Sequence, residues 1–248
     1  MKALAIITFV LTFGASAPVF AEPIGVKFTE GVSHAFPVLR SVGGEKLAQG
    51  ELTQIPRGDC VENRLTFRFR DGSLYDERVV FSQKDTFTLM SYQIVQKGPS
   101  FPESIDAKVD RETGRYEVRY KGDEEVTEEI LKGKIELPGD VYNGLLGMMM
   151  KNMPAGTSTT VQIIAFTPKP RLVKMLLTPA GNDTVMMGEA AVPATRFLIK
   201  PQLGLFASLL VTDLPDVKIW ILGGEAPAFL KFEGPLFFLG PIWRIDWS

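Results

Sequence analysis

The sequence predicts a mainly β protein: one large curled antiparallel sheet, an open half-barrel, with one or two helices packed against it. Three observations carry that expectation. Apolar and polar residues alternate through much of the chain, turn dipeptides punctuate the alternation at short intervals, and one mid-chain segment switches to a helical period.

The first 21 residues stand apart from this pattern. "MKALAIITFVLTFGASAPVFA" has a positive start at Lys2, an unbroken run of small, apolar and Thr residues from Ala3 to Phe13, and a looser tail. Val19-Phe20-Ala21 offers a small residue at each position that a signal peptidase reads. These are the three parts of a secretory signal. Its apolar run is too short for a helix across ~30 Å of hydrocarbon. Cleavage after Ala21 is expected to leave residues 22–248 as one β-rich domain without a transmembrane segment, periplasmic or secreted. Cys60 is the single cysteine and lies far from that cleavage point, so neither a lipid acceptor nor an internal disulfide is expected.

Residues 45–137 read as an antiparallel meander. Leu65, Phe67 and Phe69 alternate with Arg64, Thr66, Arg68 and Arg70, giving a strand with one wet face. Asp71-Gly72 follows, a dipeptide suited to the positive φ of a tight hairpin. Partner strands are expected at Leu74 to Phe81 and Thr86 to Gln96, and a further pair at Ile105 to Asp110 and Arg115 to Tyr120. The firm helix is "DVYNGLLGMMMKNMP", with Asp140 as its expected N-cap and Pro154 as its stop. Strands are expected to resume at Thr159 to Phe166, Leu172 to Leu177, Arg196 to Lys200, Val217 to Leu222, Ala228 to Phe232 and Ile242 to Trp247. Between two of them, Leu203 to Leu214 has no charge before Asp213 and reads as a buried helix, a lid or a docking loop. Gly-Pro-x-Phe occurs at Gly98 to Phe101 and at Gly234 to Phe237, two similar turns out of the sheet.

Several chemistries find no footing. The formal charge is −2 and basic residues are interspersed with acidic ones, so no stripe favours nucleic acid. His34 is the single histidine, which rules out paired-histidine metal motifs and leaves a Ser-His-Asp triad without a recognisable nucleophile turn. No phosphate loop or calcium loop is present, and no cofactor or metal is expected. Glu225 in "GGEAP" and Glu103 after "GPSFP" are the acids in the most distinctive turns. They keep a carboxylate-only hydrolase as a minor alternative, but no residue is nominated as catalytic. Met148, Met149, Met150 and Met153 could suggest soft-metal ligation. Three consecutive methionines, however, fan over about 200° of a helix and do not meet at one ion.

"QKGPSFP", "ELPGDVYNGLL" and "KIWILGGEAPAFLKF" resemble segments of a family of uncharacterised secreted bacterial proteins. That resemblance spans nearly all of residues 22–248 and implies a fold without implying catalytic residues. A looser similarity, of architecture alone, is to the periplasmic lipoprotein carriers of the LolA/LolB type, which hold acyl chains between a curved sheet and helices. The leading functional expectation is a non-catalytic carrier or sensor of an apolar ligand such as a lipid. Its contact residues are expected to be Met149, Met150, Met153, Leu205, Phe206 and Leu209, with Trp220 and Phe229 as outer members. The alternative is a cell-envelope protein–protein interaction module without a small ligand.

Overall fold

The computed structural model describes residues 23–122, 125–167, 169–202 and 216–247. Among these, the strands are β1 (Ser33–Ala35), β2 (Pro37–Ser41), β3 (Lys46–Arg57), β4 (Cys60–Phe69), β5 (Leu74–Gln83), β6 (Phe87–Lys97), β7 (Ser104–Asp110), β8 (Arg115–Lys121), β9 (Glu129–Lys134), β10 (Thr159–Thr167), β11 (Lys169–Met187), β12 (Ala190–Pro201), β13 (Val217–Leu222), β14 (Ala228–Gly234) and β15 (Trp243–Trp247). A short helix α1, Leu146–Asn152, precedes β10. All strands join one antiparallel sheet in the order β10-β11-β12-β13-β14-β15-β2-β3-β4-β5-β6-β7-β8-β9, with β1 beside β3. No described helix is long and apolar enough to cross a membrane.

The sheet is mainly the predicted meander. Gly72 takes φ +87° in the hairpin between β4 and β5, and Gly114 takes φ +64° between β7 and β8, a backbone region cheap for glycine. It is also curled, as a contact between distant strands shows. Tyr92 on β6 stacks on Phe166 of the edge strand β10, with ring centroids 6.2 Å apart, although nine strands separate β6 from β10 in sheet order. The two do not pair as strands. Residues 137–145 fill the seam between them.

On one side of the seam, Tyr142 N–H donates to the Gln162 carbonyl at 2.9 Å and Gln162 N–H to the Asp140 carbonyl at 2.8 Å. The Asn143 amide both donates to the Ile164 carbonyl (2.9 Å) and accepts from its N–H (2.7 Å). On the other side, the Arg111 guanidinium donates to the carbonyls of Leu89, Leu137 and Pro138. The exposed ladder of β10 is thereby satisfied without a closed barrel.

This use of residues 140–143 corrects the expected helix. Asp140 is not an N-cap; its carboxylate accepts from Gln162 Nε2 at 2.9 Å. Gly144 adopts φ +66°, which a right-handed helix excludes, so α1 begins only after Leu145, without a side-chain cap. Met153 ends it in an extended conformation ahead of Pro154, as the restriction on a residue before proline requires. The strand β11 is also longer than expected. It continues through "TPAGND" by a register shift between Pro179 and Asn182, and pairs with β12 almost to the hairpin tip. β1 and β2 were not among the expected strands.

The main core lies inside the curl and includes Leu39, Phe67, Phe81, Phe87, Tyr142 and Leu145, all essentially inaccessible. The two Gly-Pro-x-Phe turns meet at its margin. Phe101 and Phe237 contact each other edge-on at 5.4 Å, and both pack on Trp243. Residues before β1 form a strap across the curl. The Asn152 side-chain oxygen Oδ1 accepts from the N–H groups of Lys27 and Phe28, both at 2.8 Å, and Lys151 pairs with Glu30 in a largely buried ion pair.

Candidate functional site

The residues first expected to line a ligand site are placed as follows. Met149 is fully buried, and Met150 and Met153 nearly so, in the same core as Tyr142 and Leu145. Phe229 is half-buried against that core. It packs edge-on to Trp247 at 5.7 Å and stands over Gly147, where an added Cβ would lie 3.1 Å from its ring. Trp220 belongs to a separate small cluster with Ala194 and Leu230. Its indole N–H donates to Asp183 at 2.8 Å, and the Lys231 ammonium sits 4.7 Å from its ring centroid. Leu205, Phe206 and Leu209 lie outside the described residues. The structure therefore brings the three methionines together, sets Phe229 beside their helix, and points Trp220 elsewhere.

The two acids in distinctive turns are also apart in role. Glu103 hydrogen-bonds Tyr120 and pushes that hydroxyl up to about 12. Glu225 is exposed in the turn between β13 and β14.

One polar cluster does lie inside the curl. Tyr75, Glu77 and Val79 share the inward face of β5, and the Tyr92 hydroxyl donates to Glu77 Oε1 at 2.8 Å. Burial pushes the Glu77 carboxyl above its usual range, against the opposing hydrogen bonds from Tyr92 and Tyr75. Burial likewise raises both tyrosines well above theirs. Gly144 presses on this group from the seam: a Cβ there would lie 2.5 Å from Val79 Cγ2 and 3.3 Å from the Glu77 carboxyl carbon. The arrangement ties β5, β6 and the seam together through a carboxyl whose charged form burial disfavours.

The large concavity is on the opposite face of the sheet. Strands β5 to β9 carry it, and this part of the sheet, in which β7 to β9 lie beyond β6 in sheet order, forms a wing whose inner strands also belong to the curl. Its polar face is hollow, a groove of about 890 Å³. Two cross-strand rows build it. Register aligns Arg78, Gln93, Lys108, Glu117 and Lys132 in one row. Val80, Ser91 and Asp110 lead toward Arg115 and Lys134 in the next. Five cationic side chains, Arg78, Lys108, Arg115, Lys132 and Lys134, face two acids, Asp110 and Glu117.

The charges divide into a satisfied part and an unsatisfied one. Glu117 is shared by Lys132 at 3.3 Å, Lys108 at 3.6 Å and Arg119 at 3.4 Å. The Lys132 hydrogen bond leads in holding its carboxyl below the usual range. Arg78 pairs with Glu62 at 2.9 Å. Arg115 and Lys134 are direct cross-strand partners. Among the described residues neither side chain has a carboxylate within ion-pair distance. Like charges directly opposite on one face destabilise a ladder, so this pair is the part of the groove that folding does not explain.

Sequence reading missed this site. "LKGK" signals two lysines on one face of a strand, and "RETGR" places Arg115 just after a hairpin turn. Only the β8–β9 register sets the cations side by side.

No family model and no curated protein matches the chain. Among solved structures it is similar to a β-barrel-like protein of the domain of unknown function DUF1849 from Brucella abortus, at 8% identity and a TM-score of 0.45, covering 92% of this chain and 98% of that one. The segments resembling a secreted family and the LolA/LolB-type likeness have no counterpart among these matches.

Proposed function

We propose that the protein is an exported, non-catalytic binding module of the cell envelope that takes an acidic partner in the groove of the β5–β9 wing. The observation that carries this reading is the Arg115–Lys134 pair, two cations side by side at one end of a hollow of about 890 Å³, with no carboxylate within ion-pair distance among the described residues. Cations arranged against their own repulsion are well placed to meet an anionic ligand, and complementary charge gives such an interface its encounter rate and its choice of partner.

The apolar-carrier reading draws less support. Met149, Met150 and Met153 are packed into a continuous core, and neither the groove nor the smaller polar hollow beside it touches them. An export route remains part of the proposal and rests on the three-part leader of residues 1–21.

The test uses the mature protein with fluorescent polyglutamate and polylysine as probes, read by anisotropy across a salt series. Polyglutamate is expected to bind and to weaken as salt rises, and polylysine not to bind. The double variant Arg115→Glu, Lys134→Glu is expected to lose about tenfold or more in affinity while melting normally, since opposed charges at an interface suppress association. Equal binding of polyglutamate by the double variant, or no binding by the parent protein, overturns the reading.

A further inference from the structure

Granting that the groove receives an acidic partner, the backbone at its rim says what form that partner takes. β9 is the last strand in the sheet, and among the described residues no strand or bridge pairs with its outer side. Its register with β8 sets Lys134 opposite Arg115, hence Ile135 opposite Gly114. Ile135 N–H donates to the Gly114 carbonyl at 2.8 Å, so this position is a hydrogen-bonded pair. In an antiparallel ladder such pairs alternate with pairs whose N–H and C=O groups point away. Gly133 and Leu131 therefore turn their backbone toward β8, while Lys134, Lys132 and Ile130 turn theirs outward.

The same three residues send their side chains to the groove face, because Lys132 and Lys134 line the groove and Ile130 shares their parity. Ile130 is an exposed large hydrophobic at the far end of this row. One edge thus offers an ordered series: outward backbone groups at every second residue, each carrying in turn an apolar side chain, a cation and a cation.

We infer that β9 is a docking edge for an extended acidic peptide segment of a partner protein, which adds as an antiparallel strand and sets acids opposite Lys134 and Lys132 and an apolar residue opposite Ile130. A strand added there forms hydrogen-bonded pairs with those three residues, Cα to Cα at about 5.5 Å, with its alternate side chains on the groove face. The segment it selects reads acid, any, acid, any, apolar. Lysines on a free edge also guard against strand-to-strand aggregation. The two roles agree, since the same charges repel a second lysine-bearing edge and attract an acidic one. Glu117 partly neutralises Lys132 at 3.3 Å, so the acid opposite Lys134, beside Arg115, contributes more.

The experiment compares three peptides of equal charge on the mature protein: TETETVT, its block isomer TEETTVT, and TETETVT N-methylated on the amides that would pair with β9. The alternating peptide is expected to bind about tenfold tighter than either control, because strand addition needs both the main-chain bonds and the two-residue period. It is also expected to slow hydrogen exchange at the amides of Ile130, Lys132 and Lys134. Ile130→Pro removes one outward N–H and no charge, a change that an edge strand tolerates. It is expected to weaken the alternating peptide several-fold more than polyglutamate, which the groove cations hold without the apolar contact at Ile130. Equal affinity for the methylated peptide, with unchanged exchange at those three amides, overturns strand addition but leaves the groove reading standing if polyglutamate still binds. Failure of all three peptides and of polyglutamate overturns both.

Discussion

The curled half of the sheet and the β5–β9 wing are made from the same alternating strands, yet they resolve their side chains in opposite ways. In the curl, the open seam is met by partners from the chain itself. The open ladder of β10 is met by residues 140–143, the helix is covered on its methionine face, and the strap before β1 is held by Asn152, Lys151 and Gln83. In the wing, among the described residues, β9 leaves its outer edge unpaired, and Arg115 and Lys134 stand opposite each other without a carboxylate within ion-pair distance. Folding accounts for the first region. On the proposed function, a partner accounts for the second.

The sharpest way to break this division is to damage the curl and watch the wing. Met149→Ala deletes a fully buried side chain. Truncation of that kind leaves a cavity and is expected to lower stability by about 2–5 kcal/mol. Denaturant unfolding would show a lower midpoint, with polyglutamate affinity at low denaturant within about twofold of the parent if distant sites act independently. A large loss of affinity in the folded variant would mean that the methionine face takes part in binding, and would return the apolar-ligand reading to the front.

Asn143→Ala tests the seam with a somewhat smaller effect. The Asn143 amide makes two hydrogen bonds to Ile164, at 2.9 and 2.7 Å, in a buried position. Removing it strands a donor and an acceptor, at about 2–4 kcal/mol together. Hydrogen exchange is expected to quicken first along β10, whose edge the seam completes, and last in β7 to β9. Uniform acceleration through all strands would show that curl and wing unfold as one unit.

These two residues also show how far the sequence could be read. Alternation and turn dipeptides located most of the sheet, and Val217–Leu222 falls at the expected residues. The Gly-Pro-x-Phe turns were visible as a pair, although their meeting on Trp243 was not. Local signals failed where a distant strand claimed the residue. Asp140 has good N-cap chemistry, but its backbone is spent on Gln162, and Gly144 takes a conformation no helix accepts. "TPAGND" has turn chemistry, but cross-strand pairing overrides it: Thr195 donates to Asn182 and Arg196 pairs with Asp183. The groove was the least legible feature, since its chemistry lies in cross-strand neighbours such as Arg115 and Lys134. Residue spacing along the chain does not encode register between strands.

The half-buried carboxyl of the curl gives a pH-dependent test. Glu77 has a folded value raised above its ordinary one, chiefly by burial. The folded state therefore binds this proton more tightly than the unfolded chain does. Glu77's own contribution to stability is therefore fully present below the unfolded value, about 4.3, and is lost as pH rises through the folded value. Glu77→Gln keeps an acceptor for Tyr92 and cannot ionise. It is expected to melt above the parent at pH 7 and to lose that advantage near pH 4. A gap that stays constant with pH would show that Glu77 titrates normally, and that the seam tolerates its charge.

The smallest effect bears most directly on the wing. Arg115→Thr removes one of two like charges set directly opposite each other and substitutes a residue suited to strands. The variant is expected to gain about 0.2–1 kcal/mol in stability, the usual range for a cross-strand pair. It should lose affinity for polyglutamate at the same time, and the parent's excess salt dependence should shrink with it. A gain in stability paired with a loss of binding is what a residue kept for a partner produces. Losing both would make Arg115 a structural residue, and the wing would then resemble the curl.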